Sequence, residues 1–249
     1  MDKELAVVVG GTGAFGQVIV RRLAERGLKI LAAGRNEAEL KALAAAVPGL
    51  DHCVADLSDD GAIDAIRAKI DAPVRMIVHA PGVPTAGGIL EAPVSALVEA
   101  VNIKVGGILR LVRATDEHLV KGSRIVAIGG HYGFEPTAYA ATAGICNAAL
   151  ANVMRQLSWA LGERGVTSHL IAPGPADTER LRRVAGARAK MLDVSVEQVL
   201  DAMRDESAIH AFTTPEQVAW AVCLLADPEA DALAGSALML DSGRRRGLP

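Results

Sequence analysis

Residues 5–20 read LAVVVGGTGAFGQVIV. Five apolar residues, Leu5 to Val9, make an unbroken run of strand length. Gly10-Gly11-Thr12-Gly13-Ala14-Phe15-Gly16 follows, and then apolar residues at helical spacing: Val18, Val20, Leu23 and Ala24. A strand, a glycine turn and a helix in that order place free backbone N–H groups and a partial positive charge at the turn. Glycine lets the backbone approach a pyrophosphate closely. The stretch therefore predicts a dinucleotide-binding loop, with Gly10, Thr12, Ala14, Phe15 and Gly16 at the ligand. The alternative is a tight turn and nothing more.

The same alternation continues down the chain. Strands are expected at Leu5–Val9, Lys29–Ala33, His52–Ala55, Met76–His79, Arg124–Ile128, Thr167–Ile171 and Ala237–Leu240, with helical spacing between them. Strands apolar on both faces that alternate with helices imply a parallel sheet covered on both sides. The expected architecture is a single α/β domain over residues 1–249, a Rossmann-type doubly wound sheet of seven parallel strands. Residues 178–213 break the rhythm with extra helices and read as a lid over a substrate.

The bulk composition narrows the class. With 249 residues and 51% hydrophobic content, a well-packed core is expected. No apolar run is long enough to span a bilayer, and the first residues do not read as a signal peptide. A net charge of -3 gives no reason to expect nucleic acid, and Arg244 to Arg246 read as a solvated basic end. Cys53, Cys146 and Cys223 share no metal-type spacing and fit reduced core residues of a cytoplasmic protein. The six histidines show no metal-ligand spacing either, so no metal is expected.

The second strand ends AAGRN, residues 32–36. A dinucleotide fold that takes NAD usually carries an acid there for the ribose 2'-hydroxyl. Here Gly34 leaves room and Arg35 offers a cation, with Asn36 beside it, which suits the 2'-phosphate of NADP(H). Arg35 on a solvated helix start is the alternative. Asp56, next to Leu57 after the third strand, is placed to accept from an adenine amino group, or else to cap the next helix.

At this point the chain resembles the short-chain dehydrogenase/reductase family over nearly its whole length. The glycine motif is similar to residues 9–16, as a GxxGxxG variant through Gly10, Gly13 and Gly16, with Ala14 where the commoner form has glycine. His79-Ala80-Pro81-Gly82 stands where the family has NNAG. Pro173-Gly174-Pro175-Ala176-Asp177-Thr178 resembles PGxxxT beside the nicotinamide, and the end of the chain follows the family with Ser242 for one glycine. The resemblance implies an NADP(H)-dependent oxidoreductase that interconverts a carbonyl and an alcohol on a small-molecule substrate. It also implies a homo-oligomer, a tetramer or a dimer, with the apolar helices holding Ala148, Ala149, Ala151, Val153, Leu157 and Trp159 as the pairing surfaces.

The family's catalytic pattern is a serine, a tyrosine and a lysine in YxxxK, with a helix asparagine. Asn102 matches the asparagine, Gly130 falls at the serine, Tyr139 at the tyrosine and Ala143 at the lysine. A lysine one helical turn from the tyrosine lowers a phenol pKa of about 10 towards operating pH. Ala143 cannot do this. Tyr139 is still expected as proton donor, with Asn102 positioning water or helix backbone and His131 or Tyr132 as substitute acids. Two other outcomes stay open: a cofactor-binding protein without redox turnover that serves a partner, or a lyase, dehydratase or isomerase that reuses the pocket. The lid's Arg180, Arg182, Arg183, Arg188 and Lys190 are either a substrate-anion site or a solvated face.

Overall fold

The computed structural model describes residues 4–84 and 87–247, apart from the side chain of Met191. The strands are β1 (Leu5–Val9), β2 (Lys29–Gly34), β3 (Leu50–Val54), β4 (Val74–His79), β5 (Leu119–Ile128), β6 (Thr167–Pro173) and β7 (Ala237–Leu240). They form one sheet, all parallel, in the order β3-β2-β1-β4-β5-β6-β7. The chain order reverses between β1 and β4, which opens a crevice at their carboxyl ends. The helices are α1 (Ala14–Glu25), α2 (Glu37–Ala46), α3 (Gly61–Arg67), α4 (Val94–Val101), α5 (Gly107–Thr115), α6 (Ala141–Leu161), α7 (Glu179–Leu192), α8 (Val196–Asp205) and α9 (Pro215–Leu224). Asn102–Gly106 joins α4 to α5 as a π-helical turn.

Both faces of the sheet are covered, as the unbroken apolar strands require. In β1, Leu5, Val7 and Val9 face α3, α5 and α6, while Ala6 and Val8 face α1, α2 and α9. Three strands start earlier than their apolar runs suggest: β3 at Leu50, β4 at Val74 and β5 at Leu119. β5 begins at Leu119, paired with Val74, and shifts register before Arg124 pairs with Met76. The polar residues Lys121 to Ser123 hide that start from a periodicity count. At the sheet edge, β3 runs from Leu50 to Val54, so Ala55 lies just outside it.

The glycine turn fixes how α1 sits on β1. Gly10 has φ +77, a left-handed backbone that favours glycine. A Cβ on Gly16 would lie 2.0 Å from the Gly10 carbonyl oxygen, so only glycine lets the first turn of α1 close on the strand end. Gly16→Ala should therefore destabilise the fold by about 3 kcal/mol or more. A thermal midpoint equal to that of the parent chain would contradict this.

The insertion between β6 and α9 has its own core. Leu181, Ala185, Ala189, Val199, Leu200 and Met203 are buried together, with Phe212 against them. Leu192 is 61% exposed, at the point where α7 ends in a left-handed Asp193 that turns the chain away. A capping box between Ser195 and Gln198 starts α8. The two stems meet at a parallel bridge, Ala176 to Thr213, with Asp177 N–H donating to the Thr213 carbonyl at 2.9 Å.

Three histidines are buried within or just beyond the strands. Burial pushes His79 down to about 3, and His131 and His169 down to about 4. Nearby cations add to the effect: Lys104 at His79, Arg244 at His131 and Arg124 at His169. Unfolded, each titrates near 6.5. Between pH 6.5 and about 4 the unfolded chain therefore binds more protons, and stability falls as pH falls through that window. Each histidine adds at most about 1.4 kcal/mol per pH unit. The thermal midpoint should drop steeply from pH 6.5 to 4.5, and a flat profile there would refute the buried, neutral state.

Candidate functional site

The cradle at the head of α1 is built from backbone. Gly13 caps the helix with no side-chain hydrogen bond, and no acidic residue stands in the first turn. Both features leave N–H groups and the helix dipole open to an anion. Gln17 Nε2 donates to the Thr12 carbonyl at 2.8 Å and holds the turn. Phe15 packs into the α1 face of the core, whereas Ala14 is exposed at the helix start. The segment after β4 lies against the same turn: a Cβ on Gly10 would be 3.1 Å from the backbone of Ala80 and Pro81. The left-handed glycine, the close backbone approach and the open helix start fit a dinucleotide pyrophosphate.

Arg35 is exposed at the end of β2. Asn36 beside it is engaged as the cap of α2, accepting from Ala38 N–H at 3.1 Å and Glu39 N–H at 3.2 Å. Asp56 accepts from the Ser58 N–H and hydroxyl at 3.0 and 2.8 Å. These bonds hold its carboxyl below the usual range, and the charge of Arg35 adds to the effect. Leu57 is buried. Asn102 points to this end of the crevice. Its Nδ2 donates to the Ser58 carbonyl at 3.0 Å, and its Oδ1 accepts from Arg110 at 2.9 Å. The side chain ties the loop after β3 to the π-helical turn.

At the other end, Gly174 N–H donates to the Leu240 carbonyl, and a Cβ on Gly174 would press on Asp241 at 3.0 Å. Pro173 closes β6, and Thr178 opens α7 with its hydroxyl on the Ala176 carbonyl at 3.2 Å. Arg180 reaches from α7 to the Val83 carbonyl at 2.8 Å and stands 3.0 Å from where a Cβ on Gly82 would be. The insertion is thereby latched onto the loop after β4.

The expected Tyr139–Ala143 pairing on one helix face does not exist. α6 starts at Ala141, and Tyr139 lies in the turn before it, 47% exposed. No side chain caps the helix at Ala140, so nothing local marks the start. The residue of α6 that faces Gly130 is Asn147, whose Nδ2 is 2.9 Å from where a Gly130 Cβ would be. Ala143 is one turn before Asn147. Tyr139 instead meets Tyr132: the hydroxyls are 2.9 Å apart and the rings stand edge to face. Burial and that bond push Tyr132 up to about 12. Arg188 of α7 lies 5.5 Å over the Tyr139 ring. Together with His131, Arg244 and Glu206 these residues line a pocket of ≈ 330 Å³ at the mouth of the crevice. Arg244 is itself paired with Glu206. His131 is buried and neutral near pH 7, which makes it a poor acid.

Lys104 was not foreseen as a site residue, although the spacing holds a signal. Ala100, Lys104, Ile108 and Leu111 lie on one helical stripe, and all four are buried. A lysine on the core stripe of an otherwise apolar helix is rarely accidental. Among the described residues no group of three or more metal-type side chains gathers, and no helix is long and apolar enough to cross a membrane.

Residues 11–245 match the family model described as enoyl-(acyl carrier protein) reductase. A putative ketoacyl reductase of Streptomyces coelicolor is 26% identical over 253 residues, covering 97% of each chain. The structure of a variant of the actinorhodin polyketide ketoreductase with NADPH is 25% identical. It covers 99% of this chain and 98% of that one, at a TM-score of 0.90. An NADPH-bound short-chain oxidoreductase from Pseudomonas aeruginosa PAO1, described as containing an atypical catalytic center, shares the fold at a TM-score of 0.88. It is 21% identical, with 98% of each chain covered. The seven-stranded parallel sheet, the glycine cradle and the match over residues 11–245 lead to one conclusion: this chain belongs to the short-chain dehydrogenase/reductase family.

Proposed function

We propose that the protein is an NADP(H)-dependent oxidoreductase that interconverts a carbonyl and an alcohol on a small or medium substrate, through a reaction site that lacks the usual acid/base groups. The cofactor reading rests on one observation above all. Arg35, with no acid in its place, stands exposed at the end of β2 beside a cradle shaped for a pyrophosphate. NADPH bound there supplies a hydride. The chain's own residues hold it: Gly10 to Gly16 at the phosphates, Arg35 at the 2'-phosphate, Asp56 at the adenine, and Gly82, Pro173 and Gly174 along the edge of the crevice. The NADPH-bound ketoreductase, 25% identical over nearly the whole chain, supports the same choice.

Calorimetric titration should show NADPH binding more tightly than NADH. Arg35→Asp should reverse that order, since it removes a cation and adds a repulsive charge at the 2'-phosphate. Equal affinity for both cofactors would remove the role given to Arg35.

The residue of α6 that faces Gly130 is Asn147, and α6 itself holds neither a tyrosine nor a lysine. Tyr139 acts from the mouth of the crevice, as a phenol shared with Tyr132 and steadied by Arg188. Ordinary acid/base assistance is worth roughly 10²–10⁴ in rate. Tyr139→Phe should therefore lower kcat by less than about tenfold, below the range of a true acid/base group. A loss of a thousandfold would restore Tyr139 as the proton donor. A protein that binds NADPH without redox turnover is the second reading, favoured by Tyr139 lying outside α6. A ketone and aldehyde screen followed by NADPH absorbance decides between them.

We also propose a homo-oligomer. Trp159 on α6 is 83% exposed, and Val94 and Val98 on α4 are 74% and 64% exposed. Apolar side chains this large on two adjacent helices need a cover. Light scattering at micromolar concentration should report a dimer or tetramer, and a monomer would contradict the assignment.

A further inference from the structure

The residues of α6 leave the reaction site without a cation, yet a buried lysine stands on the carbonyl of Ile128, just before it on β5. Lys104 is 5% exposed and sits in the π-helical turn between α4 and α5. Its Nζ donates to the Ile128 carbonyl at 2.6 Å, two residues before Gly130 on the same strand edge. An ammonium has three donors, and among the described residues this is the one bond it makes to a protein acceptor. Beside Gly129 and Gly130, Asn147 of α6 is also 5% exposed, and its Oδ1 has no partner among the described residues. Its neighbour Cys146 on α6 is close enough to feel the lysine's charge.

We infer that Lys104 and Asn147 together hold a ligand hydroxyl at the carboxyl end of β5, with Lys104 as the cation that Ala143 does not supply. A hydroxyl accepts from an ammonium and donates to an amide oxygen, so the spare donors and the spare acceptor are complementary. Burying an ammonium with spare donors and an amide oxygen without a partner carries a desolvation cost that such a ligand would offset. π-helical turns inside α-helices occur frequently at functional sites, and here the turn carries the lysine. The inference rests on the dinucleotide reading, since the ligand hydroxyls nearest this edge belong to the bound cofactor or to the substrate beside it.

The neighbours of the ammonium are few. His79 of β4 is neutral, Cys146 of α6 is a thiol, and Arg180 of α7 is the nearby cation. Burial brings Lys104 down to about 8, with Cys146 acting the other way and Arg180 adding a smaller push down. The lysine therefore changes charge within an accessible pH range, which gives the test a second readout.

NADPH affinity should be measured by fluorescence from pH 7 to 9.5 for the parent chain, Lys104→Met and Lys104→Arg. Binding by the parent at pH 7 checks the dinucleotide reading alone. The Lys104→Met variant should then bind roughly tenfold or more weakly at pH 7, the size expected for a lost charged hydrogen bond. Parent affinity should fall as pH passes about 8, Lys104→Arg should hold its affinity to pH 9.5, and Lys104→Met should show no pH dependence. A parent profile that stays flat to pH 9.5, or a folded Lys104→Met that binds like the parent, would overturn the assignment. If Lys104→Met does not fold, the parent and Lys104→Arg profiles still decide it.

Discussion

The contact between Gly16 and the carbonyl of Gly10 governs the rest of the molecule. A helix that starts directly off a strand end must pass its first turn over the last strand carbonyl. At 2.0 Å there is no room for even one methyl group. Because the turn closes this tightly, the axis of α1 is fixed against β1, and its N–H groups point into the crevice where β1 and β4 diverge. Ala80 and Pro81 then run against Gly10 from the other side. The phosphate cradle, the loop after β4 and the covering helices α1 and α9 thus share one steric origin. It also explains why Ala14 is tolerated where a glycine is commoner in the family. Ala14 is exposed at the helix start and touches none of that contact.

Most of the sheet was legible because its strands are buried on both sides and carry no polar break. Edges were less legible. β5 hides its first half behind Lys121 to Ser123, which are accommodated by a register shift rather than by apolar pairing. The cofactor half of the site was legible for a related reason, since a phosphate cradle is made of local backbone and local glycines. The reaction half is tertiary. Tyr139 looks helical in sequence because Ala140 to Gly144 continue an alanine-rich run, and no capping side chain stands at the true start. Which residue of α6 meets Gly130 depends on how α6 lies on the sheet, and no spacing within the helix encodes it. Lys104 carried a signal in its place on the buried stripe, two residues after the Asn102 that matches the family's asparagine.

Charge is distributed unevenly along the crevice. The end beside the loop after β3 is more exposed and well paired: Asp56 is satisfied by Ser58, and Asn102 by Ser58 and Arg110. The opposite end is dry. His79, Lys104 and His131 are each driven towards the neutral form by burial, and both histidines have a cation rather than a carboxylate as their chief charged neighbour. Such a surrounding favours anionic or electron-rich ligands over cationic ones, because a neutralised base gains most from a partner that restores its proton. It also concentrates ionisable groups with shifted pKa values in the part of the crevice where α/β folds place their chemistry.

The insertion after β6 is tied at its base by the bridge between Ala176 and Thr213, starts α8 on its own capping box, and closes around its own small core. It also meets the rest of the chain through the latch from Arg180 to the loop after β4, through Arg188 over Tyr139, and through Arg244 on Glu206 and the Met203 carbonyl. A segment with paired ends and private packing is a cassette. It can be exchanged between proteins of this architecture, or drift in sequence, without disturbing the strands beneath it. Substrate range and sheet stability are then free to evolve separately, coupled through the two stems and a few arginine contacts.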